Sequence, residues 1–231
     1  MTLTPPVRAR VRICQTETME FDLEQVDALL STTRAVRKRL DLDRDVPDDV
    51  LIDCLNLAVQ APTGSNNQGW RWMIVRDQAK KEALAEMYNR VGADYLASAA
   101  KTVEKGTQTE RVMTSALYLA ENLAKVPVLV IPMITGRPEE AGGMAAGLWG
   151  SIIPAMWSFQ LALRSRGLGS TYTTLHLMVE KEAAELLEIP DHMTQAGLIP
   201  VAYTLGTDFK PAKRPPVEEI TYLDTWKNPI R

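Results

Sequence analysis

Cysteine and histidine are scarce in this chain of 231 residues, which contains two of each. Cys14 and Cys54 are too few and too isolated for a disulfide framework, and Cys54 falls on the apolar stripe of a predicted helix. We therefore expect reduced thiols and a cytoplasmic protein. His176 and His192 do not cluster with the cysteines, so we expect no metal site.

The chain also lacks a strong excess of charge of either sign. It has 26 Lys and Arg residues and 29 Asp and Glu residues, which gives a formal net charge of −3. This balance favours neither nucleic acid nor an anionic membrane as a general partner. Residues 1–21 contain three arginines but no apolar segment typical of a signal peptide. We interpret residues 1–21 as an N-terminal arm and residues 22–231 as the folded domain.

The longest run without charge covers residues 141–163. Its length would suffice to span a bilayer, but it contains four glycines, two serines, Pro154 and Gln160. We predict that it forms a helix buried on all sides in a soluble protein, with a membrane span as the alternative. Since one modest domain cannot easily bury every side of such a helix, we expect a second subunit to cover part of it.

The spacing of apolar residues predicts the other elements. Helices are predicted at 23–31, 47–60, 78–91, over most of 95–125, at 143–166 and at 179–187. Strands are predicted at 70–76, 126–134 and 196–205, with a turn and short extended segment at 167–174, a loop at 209–216 and a last strand or extended tail at 217–226. Helices separate the strands, which indicates an α/β or α+β protein with one sheet in the middle.

Four cations are concentrated in the segment Arg34-Ala35-Val36-Arg37-Lys38-Arg39. A phosphate group with close to two negative charges needs two or three convergent donors, and planar guanidinium groups bind its oxygens in pairs. Arg34 and Arg37 are three residues apart, which places them on one side of a helical turn or tight loop. The alternative is a solvated basic end of a helix.

Two further segments contain small, amide and hydroxyl side chains. Residues 61–70 read APTGSNNQGW, and residues 167–174 read GLGSTYTT. Amide side chains and backbone N–H groups can complement both the donors and the acceptors of a ligand. The alternatives are a loop in which Asn and Gly form turns and a strand edge rich in Thr and Tyr. The Gly-Leu-Gly sequence lacks the last glycine of the dinucleotide-binding fingerprint.

Together these segments resemble the flavin-binding signatures of the nitroreductase-like flavoproteins, over about residues 30–223. That family usually has Arg-Arg-Ser-Val-Arg, then Pro-Ser-x-x-Asn-x-Gln-Pro-Trp, and Gly-Leu-Gly after its long central helix. Here Thr33 and Ala35 stand in place of the first arginine and the serine. Thr63 is a conservative replacement in the second signature, and Gly69 replaces its second proline.

This resemblance implies an α+β fold, a nitroreductase-like three-layer sandwich with a central mixed sheet, assembled as an intertwined homodimer with shared flavin sites. Residues 22–231 would form the flavin domain, and the loop at 61–70 would close over the flavin of the other subunit. The resemblance implies FMN as the cofactor and Thr174 as a candidate donor to flavin N5. The FMN-binding residues implied are Arg34, Ala35, Arg37, Pro62, Thr63, Gly64, Asn66, Gln68, Thr173, Thr174, Lys213 and Arg214.

The function implied by the resemblance is FMN-dependent reduction in a ping-pong cycle. The flavin would carry the chemistry, so no catalytic side chain is required. NADPH or NADH would bind and leave before a small aromatic oxidant, such as a nitroaromatic compound or a quinone, binds beneath a lid at residues 88–123. One alternative is a reductive dehalogenase, with Glu110, Arg111 and Lys125 around an amino-acid zwitterion. Another is a flavin-storing protein without turnover.

Overall fold

The computed structural model of the protein describes residues 20–230, so the predicted arm at 1–21 lies outside the described residues except for its last two. The helices of the described range are α1 (Leu23–Thr32), α2 (Asp48–Ala58), α3 (Gln78–Thr102), α4 (Gln108–Asn122), α5 (Ala145–Ser165) and α6 (Glu180–Leu187). Its strands are β1 (Trp70–Val75), β2 (Val128–Thr135), β3 (Leu168–Ser170), β4 (Met193–Gln195) and β5 (Ile199–Tyr203).

The strands form one sheet in the order β1-β2-β5-β3, and β4 pairs with the end of β2. All of these strand pairs are antiparallel. The predicted α+β class is therefore confirmed. The resemblance implied a mixed sheet, which contains parallel as well as antiparallel pairs. In the part of the chain that the structure describes, parallel pairing is limited to a single bridge between Ala35 and Ser170.

Strand β2 lies at the centre of the fold and contributes to two separate cores. Ile131 faces a core shared with α3, α4 and α6, whereas its neighbour Val130 faces a core shared with α2 and α5. Successive side chains of a strand point to opposite faces of the sheet, so this alternation requires a helical layer on each face. The three-layer sandwich predicted from the resemblance is thus observed.

Helix α3 continues to Thr102, beyond the predicted end at Val91. Gly92 lies within it, and a Cβ atom there would collide with the Leu175 side chain. The glycine therefore allows close packing between α3 and the segment that follows Thr174. Sequence periodicity predicted an interruption because it could not show that this glycine serves a packing contact.

The other elements depart from prediction mainly at short segments. Pro132 does not interrupt β2, and its carbonyl accepts a hydrogen bond from Ala196 N at 2.8 Å. The predicted strand at 196–205 is shorter, and β4 was not predicted as a separate strand. The segment at 217–226, predicted as a last strand or an extended tail, does not form a strand and begins with the 3₁₀ turn Val217–Ile220.

Helix α5 is buried on one side and apolar on the other. Ile152, Ala155 and Phe159 are fully buried against the sheet, whereas Ile153 and Trp157 are 46% and 44% exposed. One chain therefore leaves an apolar surface along the outer side of α5, which is the side that the expected second subunit would cover. None of the helices within residues 20–230 has the length and apolar character needed to cross a membrane.

Candidate functional site

Arg34 and Arg37 line a cavity of about 1140 Å³ between α1, α4 and the segment after β5. Val36 N donates to Ser170 O at 2.9 Å, which holds this basic segment against β3. Arg34 Nη1 donates to Lys210 O at 2.8 Å and so links the segment to the chain after β5. Ala35, Lys213 and Arg214, which the resemblance implies as FMN-binding residues, line the same cavity.

Among residues 20–230, six cationic side chains and no carboxylate line this basic cavity. They are Arg34, Arg37, Arg111, Lys210, Lys213 and Arg214. The ion pairs within residues 20–230 form elsewhere, and their cations are Arg39, Arg76, Arg90 and Arg137. Cations that share a cavity repel one another unless an anion joins them, because the protein screens charge less than water does. The donor set therefore fits a phosphate group.

Arg37 is the least solvated of the site residues predicted in the basic segment. It is half-buried, and its Nη1 lies 3.4 Å from Ser115 Oγ of α4. Burial lowers the pKa of Arg37 from its ordinary value, and the nearby Tyr88 partly offsets this effect. Arginine nevertheless stays charged in proteins, so Arg37 is a partly desolvated cation that an anion would stabilise.

The segment between β5 and Arg214 is fixed by an aromatic contact. The Phe209 ring lies between two guanidinium groups, with Arg39 Cζ 4.3 Å and Arg164 Cζ 4.7 Å from its centre. Arg39 also forms an ion pair with Asp208 at 2.6 Å. These contacts place Lys210 and the residues after it beside the basic segment.

The amide-rich loop at 61–70 lies at a second cavity, of about 580 Å³. Of the predicted site residues, Thr63, Gly64 and Gln68 line this cavity, whereas Pro62 and Asn66 do not. The two cavities share no lining residue. One chain thus keeps the predicted phosphate-binding and amide-bearing residues apart, although α5 borders both cavities.

The backbone of the amide loop adopts an unusual conformation. Ser65, Asn66 and Gln68 have φ angles of 52°, 55° and 48°, which are uncommon for residues other than glycine. Gly64 N donates to Ser151 Oγ of α5 at 3.0 Å, and Gln68 N donates to Thr63 Oγ1 at 3.2 Å. Strained conformations that surrounding contacts maintain are concentrated at functional sites. The loop is therefore preorganised on α5.

Thr173 and Thr174 differ in the donors that they offer. Thr173 is buried, and its N–H and hydroxyl both donate to Leu198 O at 3.0 Å. Thr174 is exposed, and within residues 20–230 neither its N–H nor its hydroxyl donates to another group. Thr174 is therefore the better placed of the two to donate to a ligand.

Sequence reasoning missed several residues of the two cavities. Ser115, Trp157 and Lys210 line the basic cavity, and Ser151 lines the second. Gln108, Arg111 and Ser115 share one side of α4 because of their helical spacing, a pattern that the sequence already contains.

The charged residues considered for a zwitterion clamp are not brought together. Arg111 lines the basic cavity, whereas Glu110 and Lys125 do not. The Glu110 carboxylate accepts a hydrogen bond from Gly106 N, and Lys125 Nζ donates to Asn122 Oδ1. A clamp made of these three side chains is therefore not formed in this structure.

His176 lies in the 3₁₀ turn after Thr174 and is fully buried. Burial lowers the pKa of His176 to about 4 from an ordinary value of 6.5. Between these values the unfolded chain binds a proton that the folded chain does not. The free energy of unfolding should therefore fall by up to about 3 kcal/mol as the pH is lowered from 6.5 to 4.

This prediction can be checked by urea unfolding of the parent protein and two variants across that pH range. His176→Asn should have a flatter pH dependence, because the group that titrates differently in the two states is gone. His192→Asn is the control, since His192 is exposed. Equal pH slopes for the parent and His176→Asn would contradict the prediction.

The chain is similar in sequence to several known proteins. Residues 30–203, more than half of the chain, match the family model described as "Nitroreductase family". The chain is 28% identical over 218 residues to an NADH dehydrogenase of Thermus thermophilus, with 87% of this chain and 98% of that protein covered. It is 25% identical over 199 residues to a 4-nitrobenzoate reductase of Nocardioides sp., with 74% and 77% covered.

Solved structures show the same fold. An iodotyrosine deiodinase bound to FMN and 3-iodo-L-tyrosine superposes with a TM-score of 0.65 at 23% identity. The match covers 87% of this chain and 100% of that structure. At this identity the likeness establishes the fold alone, and it confirms the predicted architecture.

Proposed function

The chain belongs to the nitroreductase family, and from this premise we propose that it is an FMN-dependent oxidoreductase that uses NADPH or NADH to reduce small aromatic oxidants, nitroaromatic compounds in particular. The observation that carries the proposal is the basic cavity, in which six cations converge without a carboxylate. Two of them, Arg34 and Arg37, belong to the segment that resembles a flavin signature. The 4-nitrobenzoate reductase among the relatives supports the substrate class.

Each part of the proposed site has a distinct task. Arg34, Arg37 and Arg214 would bind the FMN phosphate, with Ala35 and Lys213 beside them. The preorganised amide loop would bind the polar edge of the flavin ring through Thr63, Gly64, Asn66 and Gln68, with Pro62 shaping the loop. Thr174 would donate to N5, while Thr173 holds the segment to Leu198. When bound, FMN supplies hydride transfer, which needs no nucleophilic side chain.

The proposed assembly is a homodimer in which each flavin site uses both chains. In one chain the amide loop and the basic cavity are separate, so two chains are needed to bring these groups to one flavin. The outer side of α5 exposes Ile153 and Trp157, and the C-terminal segment exposes Leu223 and Trp226. Burial of such apolar surface against a second copy would stabilise the dimer.

Sedimentation at low micromolar concentration should give about twice the chain mass of 25.7 kDa. Ile153→Asp should shift the protein toward monomer, because a charge would enter the buried interface, and FMN should be lost in parallel. Lys181→Asp, at an exposed position on α6, is a control for the new charge. A flavin-loaded monomer would contradict the shared site.

The proposed activity has a direct test. The purified protein should be yellow and release FMN rather than FAD, and NADPH or NADH should bleach it under anaerobic conditions. The reduced protein should then reoxidise on addition of 4-nitrobenzoate. A protein that binds FMN but is not bleached by either nicotinamide would be the storage protein considered above.

The dehalogenase alternative is supported by an iodotyrosine deiodinase of Thermotoga neapolitana that is 26% identical over 181 residues, with 78% of this chain and 88% of that protein covered, and by the fold shared with the iodotyrosine deiodinase structure. Release of iodide from 3-iodo-L-tyrosine by the reduced protein, without reduction of nitroaromatics, would favour it. The three candidate clamp residues Glu110, Arg111 and Lys125 are not brought together, which weakens this alternative. Because Cys54 is free and buried, we also propose a cytoplasmic location.

A further inference from the structure

Helix α4 contributes one side to the basic cavity. Gln108, Arg111, Val112 and Ser115 all line it, at the i, i+3, i+4 and i+7 positions of one helical face. Ser115 Oγ lies 3.4 Å from Arg37 Nη1, so this face of α4 directly adjoins the half-buried guanidinium. The helix is therefore positioned beside the residues proposed to bind phosphate.

Arg111 precedes Ser115 by one turn on this face. Four residues of helix correspond to a rise of about 6 Å, a distance that the long arginine side chain can cover. Within residues 20–230 the Arg111 side chain forms neither an ion pair nor a hydrogen bond. Glu110, the adjacent acid, instead accepts a hydrogen bond from Gly106 N. Arg111 thus lines the cavity as a cation that no carboxylate neutralises.

Thr33, the residue just before Arg34, also lines the cavity. Its hydroxyl donates to Leu29 O at 2.6 Å and carries no charge. Position 33 therefore contributes no charge to the cavity, whereas α4 contributes one cation, Arg111.

We propose that Arg111 is a ligand of the FMN phosphate, supplied by α4 from outside the basic segment. This inference rests on the proposed function. A dianionic phosphate can accept charge-assisted hydrogen bonds from Arg37 and Arg111 together, and so reduces the repulsion between them. Phosphate binding would then fix α4, which belongs to the predicted lid, as well as the cofactor.

The test compares the affinities of FMN and riboflavin, which share the ring but differ in the phosphate. The fluorescence of each flavin is titrated with apoprotein of the parent, Arg111→Gln and Lys105→Gln. Arg111→Gln should weaken FMN binding by roughly 10- to 150-fold and leave riboflavin binding within about 2-fold. Lys105→Gln removes one exposed charge outside the cavity and should change neither affinity.

A rescue experiment tests the position of the charge. Adding Thr33→Arg to Arg111→Gln should restore much of the FMN affinity, because residue 33 lines the same cavity. If Arg111→Gln does not fold, Arg111→Lys retains the charge without the planar fork and should weaken FMN selectively but less. A double variant as weak as Arg111→Gln would contradict the shared phosphate site.

Three outcomes would overturn the inference, and they can be told apart. Unchanged FMN affinity, with only the KM for 4-nitrobenzoate raised, would assign Arg111 to the oxidant. Equal losses for FMN and riboflavin would indicate a structural role. A parent protein that binds neither flavin would overturn the proposed function as well, whereas a parent that binds FMN leaves that function standing.

Discussion

Replacing Thr174 by proline is expected to slow the reduction of bound FMN by NADPH by roughly 100- to 1000-fold, the usual effect of removing one donor aimed at developing negative charge. Proline lacks the N–H, and no other described residue accepts a hydrogen bond from the N–H of Thr174. If the hydrogen bond from Thr174 to the flavin is already present before reduction, its loss would slow the reaction by a smaller factor. Anaerobic stopped-flow absorbance measures the rate directly.

The control for this experiment is Thr174→Ala, which keeps the N–H and removes the hydroxyl. A parent-like rate for alanine and a slow rate for proline would assign the contact to the backbone, whereas two slow variants would implicate the hydroxyl. Thr174 has a φ of −134°, which proline cannot adopt, so FMN content must be equal before rates are compared. A fully loaded proline variant that reacts at the parent rate would place the N5 donor elsewhere, with Thr173 the next residue to test.

Arg37→Ala is expected to weaken FMN binding by roughly 10- to 150-fold, as the loss of a charge-assisted hydrogen bond to phosphate predicts. Arg37 is a better residue to substitute in this test than Arg34, because the Arg34 guanidinium already donates a hydrogen bond to Lys210 O. The matched control is Lys38→Ala, which removes an exposed neighbouring charge that does not line the basic cavity. Equilibrium titration of apoprotein with FMN gives both dissociation constants.

Comparison of the two variants distinguishes a direct contact between Arg37 and the phosphate from the general electrostatic attraction of the basic segment. If both weaken FMN by the same factor, the effect comes from net charge and should disappear at high salt. A selective loss in Arg37→Ala that persists in salt would indicate a direct, partly buried contact. Unchanged affinity in Arg37→Ala would mean that the phosphate binds elsewhere.

The sequence predicted those parts of the site that lie in short continuous segments. Arg34 and Arg37 occur within four residues, and the resemblance of this segment to a flavin signature, rather than the spacing alone, pointed to a phosphate site. Arg111 and Ser151 come from α4 and α5, and only tertiary packing brings them beside the basic segment and the amide loop. Neither residue type is distinctive on a helix, so no local pattern could have assigned them to a site.

The fold was predictable to a similar extent and for a related reason. Strong apolar runs such as β2 identified the central sheet, because burial on both faces imposes apolar residues at consecutive positions. The full length of α3 was missed, since the role of Gly92 depends on Leu175, which is remote in sequence. A strand as short as β4 has too few residues to show an alternating pattern, and it is recognised only by its pairing with β2.

Helix α5 connects both cavities to the apolar surface proposed as the dimer interface, with Ser151 at one cavity and Trp157 at the other. If the dimer shares its sites as proposed, cofactor binding and subunit association form one thermodynamic cycle. Whatever factor dimerisation contributes to FMN affinity, FMN must contribute equally to the association constant. At protein concentrations low enough for dissociation, flavin occupancy would therefore vary with total protein, and the supply of FMN would control the amount of assembled dimer.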